Sequence, residues 1–426
     1  MSKNTLIISI GCTLLLLAGF ILNVQIILLA AVGIIAASIF VSDVKIATEL
    51  LFYFTPLSYI MVFNQYNIYI LPAAAYIAAV ILKRKITPGF IFAPFLMVYC
   101  VVFADYAAPM KMGQLIYPIL LMLIWFVCRA AEKKDYPNLV TCFAAGFIVS
   151  AVIGFFKEQI PAMQKIFVTD SLFINKVEMS GNITRYSGLS YDPNFFALVD
   201  SVLIAILLLG NGKKSALKTL ALIFLTVVGF YTFSKSYVVL LVLTLIAYIL
   251  KGSKYPKGSL FAVFAAFLCM ALADHFSGVG VLKLINARFT AADNMNDLTT
   301  GRADLWIKYL DYILSNAKCL ILGRGFNTFS LGKAVHNTYI DWLYRFGIIG
   351  SALWMIYFRF CKREILKKSP EKLSSVIPAV IFLTGIFFLS AFYFQQFWCC
   401  IFLVMLCPYM NGEENHEETE RDSSGV

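Results

Sequence analysis

Charge is scarce in this chain: 14% of its 426 residues are Asp, Glu, Lys or Arg and 60% are hydrophobic, against about a quarter charged and about half apolar in a soluble domain. A chain of that balance aggregates in water, which excludes a soluble globular fold. Histidine is scarcer still, with His275, His336 and His416 the only three, so a histidine-rich metal site is not supported. Asp293-Asn294-Met295-Asn296-Asp297 lacks the glycine and the closing glutamate of an EF-hand loop and reads as a turn. Nine of the ten cysteines lie in or beside apolar segments and only Cys319 falls in an outer loop. That distribution offers no paired framework, so neither disulfides nor a cysteine metal site is expected. The residues call for no metal and no cofactor.

Long apolar runs are abundant. A hydrocarbon core about 30 Å thick takes about 20 apolar residues per helix, because lipid offers no partner to backbone N–H and C=O groups. Fourteen candidate spans follow, at about 6–23, 24–42, 47–63, 66–82, 88–104, 114–131, 139–156, 193–210, 218–233, 236–250, 259–274, 338–358, 374–391 and 393–410. The expected fold is all-α, a polytopic transmembrane helical bundle of about 12–14 spans. The first span resembles a signal peptide, but its long core and the want of a clear small-x-small cleavage site make it a retained helix.

Positive charge crowds into alternate short loops: Lys83-Arg84-Lys85, Arg129 with Lys133 and Lys134, Lys213-Lys214 with Lys218, Lys251 with Lys254 and Lys257, and Lys362-Arg363 with Lys367 and Lys368. Those loops are expected in the cytoplasm. The loops between them carry little beyond Lys111 and Lys235, so both termini fall inside and the longer segments near 157–192 and 275–337 fall outside. The net charge of +11 is then mostly topology and implies no nucleic acid. Past Met410 the chain turns acidic without an apolar face and reads as a disordered cytoplasmic tail, 411–426.

Ionisable residues in transporters sit mid-span along a substrate pathway. Here the purposeful polar residues lie instead in the two outer segments and at the helix ends that border them, which points to a site open to a lipid-borne substrate. Arg185-Tyr186-Ser187-Gly188 precedes Asp192-Pro193-Asn194 and an apolar run. Pro193 suits the first turn of a helix and Asp192 its cap, with Arg185 either a functional cation or a snorkelling one. In the second segment, Leu305, Tyr309 and Ile313 form one stripe and Trp306, Leu310 and Leu314 another beside it. An amphipathic helix follows, too short and polar to span, lying on the membrane or over the site.

Arg302 stands in the first turn of that helix, where the dipole disfavours a cation but free N–H groups and a guanidinium together suit a phosphate. A salt bridge to a carboxylate of 293–297 is the alternative, and the same doubt covers Arg288 and Arg324. His336, at the border of the next span, is placed to act as a general base. Helical turns from Asn337 lead to Asp341 and then Arg345, which are expected to pair as structure or as part of the site. Gly347 and Ser351 form a small-x-x-x-small pair for close helix packing.

Taken together, Arg185-Tyr186-Ser187-Gly188, Asp192-Pro193-Asn194, Ser234-Lys235-Ser236, Gly301-Arg302, Gly323-Arg324-Gly325 and His336-Asn337 before Gly347 and Gly350 resemble the bacterial O-antigen polymerase and O-antigen ligase superfamily. The ordered set covers about 185–355. The resemblance implies a metal-independent, GT-C-like glycosyltransferase of the bacterial plasma membrane that moves a glycan from undecaprenyl diphosphate to an acceptor sugar on the outer face. Arg185 and Arg302 would hold the diphosphate and His336 would activate the acceptor hydroxyl. Asp192, Asn194, Lys235, Arg288, Arg324, Asn337, Tyr339, Asp341 and Arg345 would line the substrate site. Lys235 departs from the family's usual arginine and lacks its planar fork.

The corresponding organisation is N-terminal helices over 1–184, a polymerase- or ligase-like core over 185–360 with an external loop at about 275–337, and C-terminal helices over 361–410. A polysaccharide polymerase is the leading expectation, with lipid-linked glycan as donor and acceptor, membrane lipid as surroundings, and a chain-length regulator and flippase as partners. A ligase delivering the finished chain to a lipid or wall acceptor shares the same chemistry. A transporter or flippase of lipid-linked sugars would show a repeat relating the two halves, and none is visible. A non-catalytic assembly scaffold is the remaining class.

Overall fold

Runs of Leu, Ile, Val, Phe and Ala offer no side-chain partner to the backbone, so a chain rich in them satisfies its N–H and C=O groups within helices. The computed structural model describes residues 1–64, 66–84, 99, 116–157, 159–160, 171–176, 179–209, 216–250, 257–277, 280, 284–286, 299, 301–325, 331–366 and 376–406. Helices occupy thirteen of the fourteen expected stretches, and the other, 88–104, lies outside the described residues apart from Tyr99.

In chain order these are α1 (Lys3–Ile21), α2 (Gln25–Val41), α3 (Val44–Phe54), α4 (Ile70–Lys83), α5 (Ile116–Ala130), α6 (Tyr136–Gly154), α7 (Pro193–Leu209), α8 (Ala216–Tyr231), α9 (Lys235–Leu250) and α10 (Lys257–Ser277). They continue with α11 (Arg302–Ser315), α12 (Ala317–Leu322), α13 (Thr338–Leu366), α14 (Val376–Phe387) and α15 (Phe397–Leu406). The chain is therefore mostly helical. By length and composition two helices, α1 and α6, suffice to cross a membrane, and most of the other apolar ones are shorter.

The all-α expectation needs one correction. Val62–Phe63 (β1) pairs antiparallel with Tyr66–Asn67 (β2), and Ser171–Lys176 (β3) with Met179–Thr184 (β4), from Ser171 opposite Thr184 to Lys176 opposite Met179. Strand pairing links residues on two separate segments, so no helical or alternating pattern within one run announces it.

Helix α7 lies at the centre. Nearly all of its residues from Phe196 on are buried, and it packs against α8, α9 and α14. By contrast α1, α2, α9 and α10 turn Leu14, Ile26, Ile249, Leu250, Phe261 and Phe264 outward.

Helices α11 and α12 pack on α13 through Tyr309, Ile313, Cys319, Val335 and Tyr344. The stripe of Tyr309 and Ile313 is buried, whereas Leu310 and Leu314 face out. Residues 302–322 thus form two helices, α11 and α12, where the sequence suggested one.

Helix α13 also departs from a plain span. It runs on to Leu366 and breaks at Gly347, where φ is 59° and ψ −169°. The expected close approach at Gly347 is real, but its neighbour is the end of α12: a Cβ on Gly347 would stand 2.5 Å from Gly323 N and from Ile321 O. Three carbonyls beside the break have donors from outside the helix. Arg324 N donates to Tyr344 O at 2.9 Å and Gly325 N to Arg345 O at 2.7 Å. The Tyr99 hydroxyl lies 3.1 Å from Phe346 O.

Gly347→Ala therefore combines a left-handed φ with a backbone clash and is expected to cost about 1–3 kcal/mol. Thermal unfolding of the purified protein checks this, with Ile348→Ala at the exposed neighbouring position as a control that leaves the midpoint unchanged.

Candidate functional site

Arg185 follows β4 directly, and its surroundings are set by the start of α7. Asp192 Oδ1 accepts from Asn194 N at 2.7 Å and from Asn194 Nδ2 at 2.8 Å, so Asp192 caps α7 with Pro193 in its first position, as the sequence predicts. The cap turns Asn194 Oδ1 toward Arg185 Nη2, 3.0 Å away, and toward the Ser234 hydroxyl, 2.9 Å away. Arg185 Nε donates to Thr232 O at 2.9 Å, beyond the last turn of α8, and the residue is 5% exposed. A guanidinium at a helix C-terminus meets the negative end of the dipole. Ser234 Oγ and Ser236 Oγ are 2.8 Å apart across Lys235, the half-buried first residue of α9.

Arg302 is held in the same way at another helix end. Gly301 precedes α11 with φ 77°, and Arg302 Nη1 donates to Phe388 O at 2.6 Å, just past α14. Its other N–H groups have no hydrogen-bond partner among the described residues. The turn after α14 is tied to α13 as well: the Thr338 hydroxyl donates to Leu389 O at 2.5 Å and accepts from Ala391 N at 2.9 Å.

His336 stands one residue before the buried Asn337, whose Oδ1 caps α13 by accepting from Tyr339 N at 3.0 Å and Ile340 N at 3.1 Å. The imidazole is half-buried, and the residue has φ 52°, a left-handed conformation that costs a non-glycine residue about 1–3 kcal/mol. Such strain persists only where the surroundings impose it.

Electrostatics joins these pieces. Burial, then the charge of Arg302, lowers the His336 pKa below the ordinary histidine value, while Asp192 acts in the opposite direction. Burial also lowers Arg302, with Asp192 raising it and Arg185 lowering it. Arg185, Asp192, Arg302 and His336 thus share one neighbourhood assembled from three separate stretches of chain. Two cations, one carboxylate and a neutral imidazole suit an anion beside a group that gives up a proton.

Several residues proposed from the sequence lie elsewhere or have structural tasks. Arg324 donates to the Tyr312 hydroxyl at 2.7 Å and stacks 5.4 Å from that ring's centre. Tyr312 is ten residues from Arg302 on α11, about 15 Å along the axis. Asp341 and Arg345 pair as expected, at 2.8 Å with side chains 3% and 1% exposed, inside α13. The Tyr339 hydroxyl donates to Leu383 O at 2.9 Å. Arg288 lies outside the described residues.

The sequence reading missed Lys157, which is buried and donates from Nζ to Ser187 Oγ at 2.8 Å, beneath the Arg185 loop. It also missed Asp200, the one acidic residue within α7, although a lone carboxylate in an apolar run is itself a signal. The carbonyls of Thr232 and Phe388 had no such signal, because any residue carries one.

Because glycine adopts φ above zero freely, His336→Gly is expected to leave thermal stability equal to or above wild type while removing the imidazole. Melting of the purified variant checks this, and a fall of several degrees would assign the ring a packing role. Comparison of the sequence with family models and with curated proteins finds no match.

Proposed function

We propose that the chain is a multi-span membrane glycosyltransferase that polymerises polyprenyl-diphosphate-linked oligosaccharide units on the outer face of a bacterial plasma membrane. The observation that carries this reading is the electrostatic cluster of Arg185, Asp192, Arg302 and His336 at the ends of apolar helices. The outward apolar side chains of α1, α2, α9 and α10 support a lipid environment.

In the reaction, the acceptor hydroxyl oxygen forms the new bond to the anomeric carbon as the bond from that carbon to the diphosphate breaks. The diphosphate leaves with the electron pair, and Arg185 and Arg302 stabilise the negative charge that develops on it. His336 takes the hydroxyl proton. Its depressed pKa keeps the imidazole neutral, which a general base requires. Both termini lie in the cytoplasm in this reading, and a ligase would use the same groups on a different acceptor.

Polymer length on a gel, from cells with His336→Ala at normal membrane abundance, tests the reading. Single repeat units alone mean a polymerase that uses His336. Polymer that persists on its lipid carrier, unattached to a final acceptor, means a ligase. An unchanged ladder sinks the role of His336.

The pH profile gives a second test. A base with a lowered pKa keeps the acid limb of the rate below pH about 6.5. Arg302→Gln removes a cation that lowers His336, so the limb moves to higher pH as the rate falls. Asp192→Asn removes an influence that raises His336, so the limb moves lower.

A second reading, a transporter of lipid-linked sugars, is favoured by one observation, the fully buried Asp200 within α7. An unchanged polymer ladder in His336→Ala combined with loss of lipid-linked sugar movement across the membrane in Asp200→Asn would favour it.

A further inference from the structure

Asp200 is the only ionisable side chain in α7, and it is fully buried with neither carboxylate oxygen hydrogen-bonded among the described residues. Its walls are known. A Cβ built on Gly229 of α8 would stand 2.4 Å from Asp200 Oδ2 and 2.2 Å from Cζ of Tyr237 on α9, so only glycine lets the carboxylate and the ring meet there. The Tyr237 hydroxyl donates to Thr226 O at 3.1 Å. Thr226 Oγ1, also fully buried, has no partner among the described residues. Asp200 Oδ2 thus lies beside the Tyr237 ring at Gly229, and the Tyr237 hydroxyl reaches the backbone of Thr226, whose own hydroxyl is unsatisfied among the described residues.

A bare carboxylate in such a place is not sustained, because burial strips its hydration and nothing replaces it. The titratable groups that feel Asp200 are Tyr186, from the Arg185 loop, and Tyr237. Both are neutral as phenols, and neither carboxylate oxygen has a hydrogen-bond partner among the described residues. A small cation held by these oxygens would supply the missing charge.

We propose that Asp200, Thr226 and Tyr237 form a binding site for one small monovalent cation, a proton or a sodium ion, within the α7–α8–α9 packing. A proton needs one carboxylate oxygen, and a sodium ion takes oxygens of the carboxylate, the threonine hydroxyl and the phenol. The site touches the machinery above it through Gly229: the Thr232 hydroxyl donates to Gly229 O at 2.6 Å, and Thr232 O accepts from Arg185 Nε. The site itself is independent of the glycosyl-transfer reading.

Infrared spectroscopy of the full chain in lipid nanodiscs tests it, with wild type and Asp200→Asn compared at neutral pH, first in sodium-free potassium buffer and then with sodium chloride. A protonated-carboxyl carbonyl stretch in wild type that is absent from Asp200→Asn and persists in sodium identifies a bound proton. The same band, replaced by carboxylate bands on addition of sodium, identifies a sodium site. A wild-type minus variant difference showing only carboxylate bands that sodium leaves unmoved overturns the proposal.

Thr226→Val keeps the carboxyl should Asp200→Asn fail to accumulate. A shift in frequency of the acid stretch is then expected, and an unshifted band overturns the assignment of Thr226 to the site. Because these readouts are vibrational, their failure leaves polymer formation unaddressed, and an inactive enzyme leaves them intact.

Discussion

A backbone carbonyl that leaves a helix in apolar surroundings must find another donor, and the organisation of this protein follows from where that happens. Three such places matter. Past α8, Thr232 O takes the guanidinium of Arg185. Past α14, Phe388 O takes that of Arg302. At the Gly347 break, Tyr344 O and Arg345 O are taken by the backbone of Arg324 and Gly325. The first two anchor the cations of the candidate site, and the third seats the α11–α12 unit that carries Arg302.

That arrangement explains how positive charge is kept at an apolar boundary with few acids nearby among the described residues. Each guanidinium rests on the negative end of a helix, a partner that neutralises part of its charge and leaves the rest for an anion. Among the described residues Asp192 is the carboxylate that acts on both Arg302 and His336, and one of its oxygens is already committed to Asn194. His336 lies between Asp192 and Arg302 in their opposing effects, and its left-handed backbone is held by the α13 cap that begins at Asn337.

Several of these elements were legible in the chain itself. The Asp192-Pro193 cap is local chemistry, since an aspartate before proline satisfies the first N–H groups of a helix wherever it stands. The Asp341–Arg345 pair follows from one helical turn. The buried stripe of Tyr309 and Ile313 follows from helical periodicity, and the helices in thirteen expected stretches follow from their long apolar runs. Gly347 was legible as a site of close approach but not as a break, because spacing alone does not reveal a change in φ.

The sequence by itself determined where apolar chain forms helices, because that choice depends on neighbours within a turn or two. Only the tertiary structure decided that Arg324 stands with Tyr312, away from the cluster that contains Arg302, and that Lys157 lies under the Arg185 loop. It alone set a fully buried Asp200 against Gly229 and Tyr237. These are meetings between residues far apart in the chain, and their partners are largely backbone carbonyls and glycines that look the same in every sequence. Local pattern carries the period of a helix; which helix end a guanidinium reaches depends on how the helices pack.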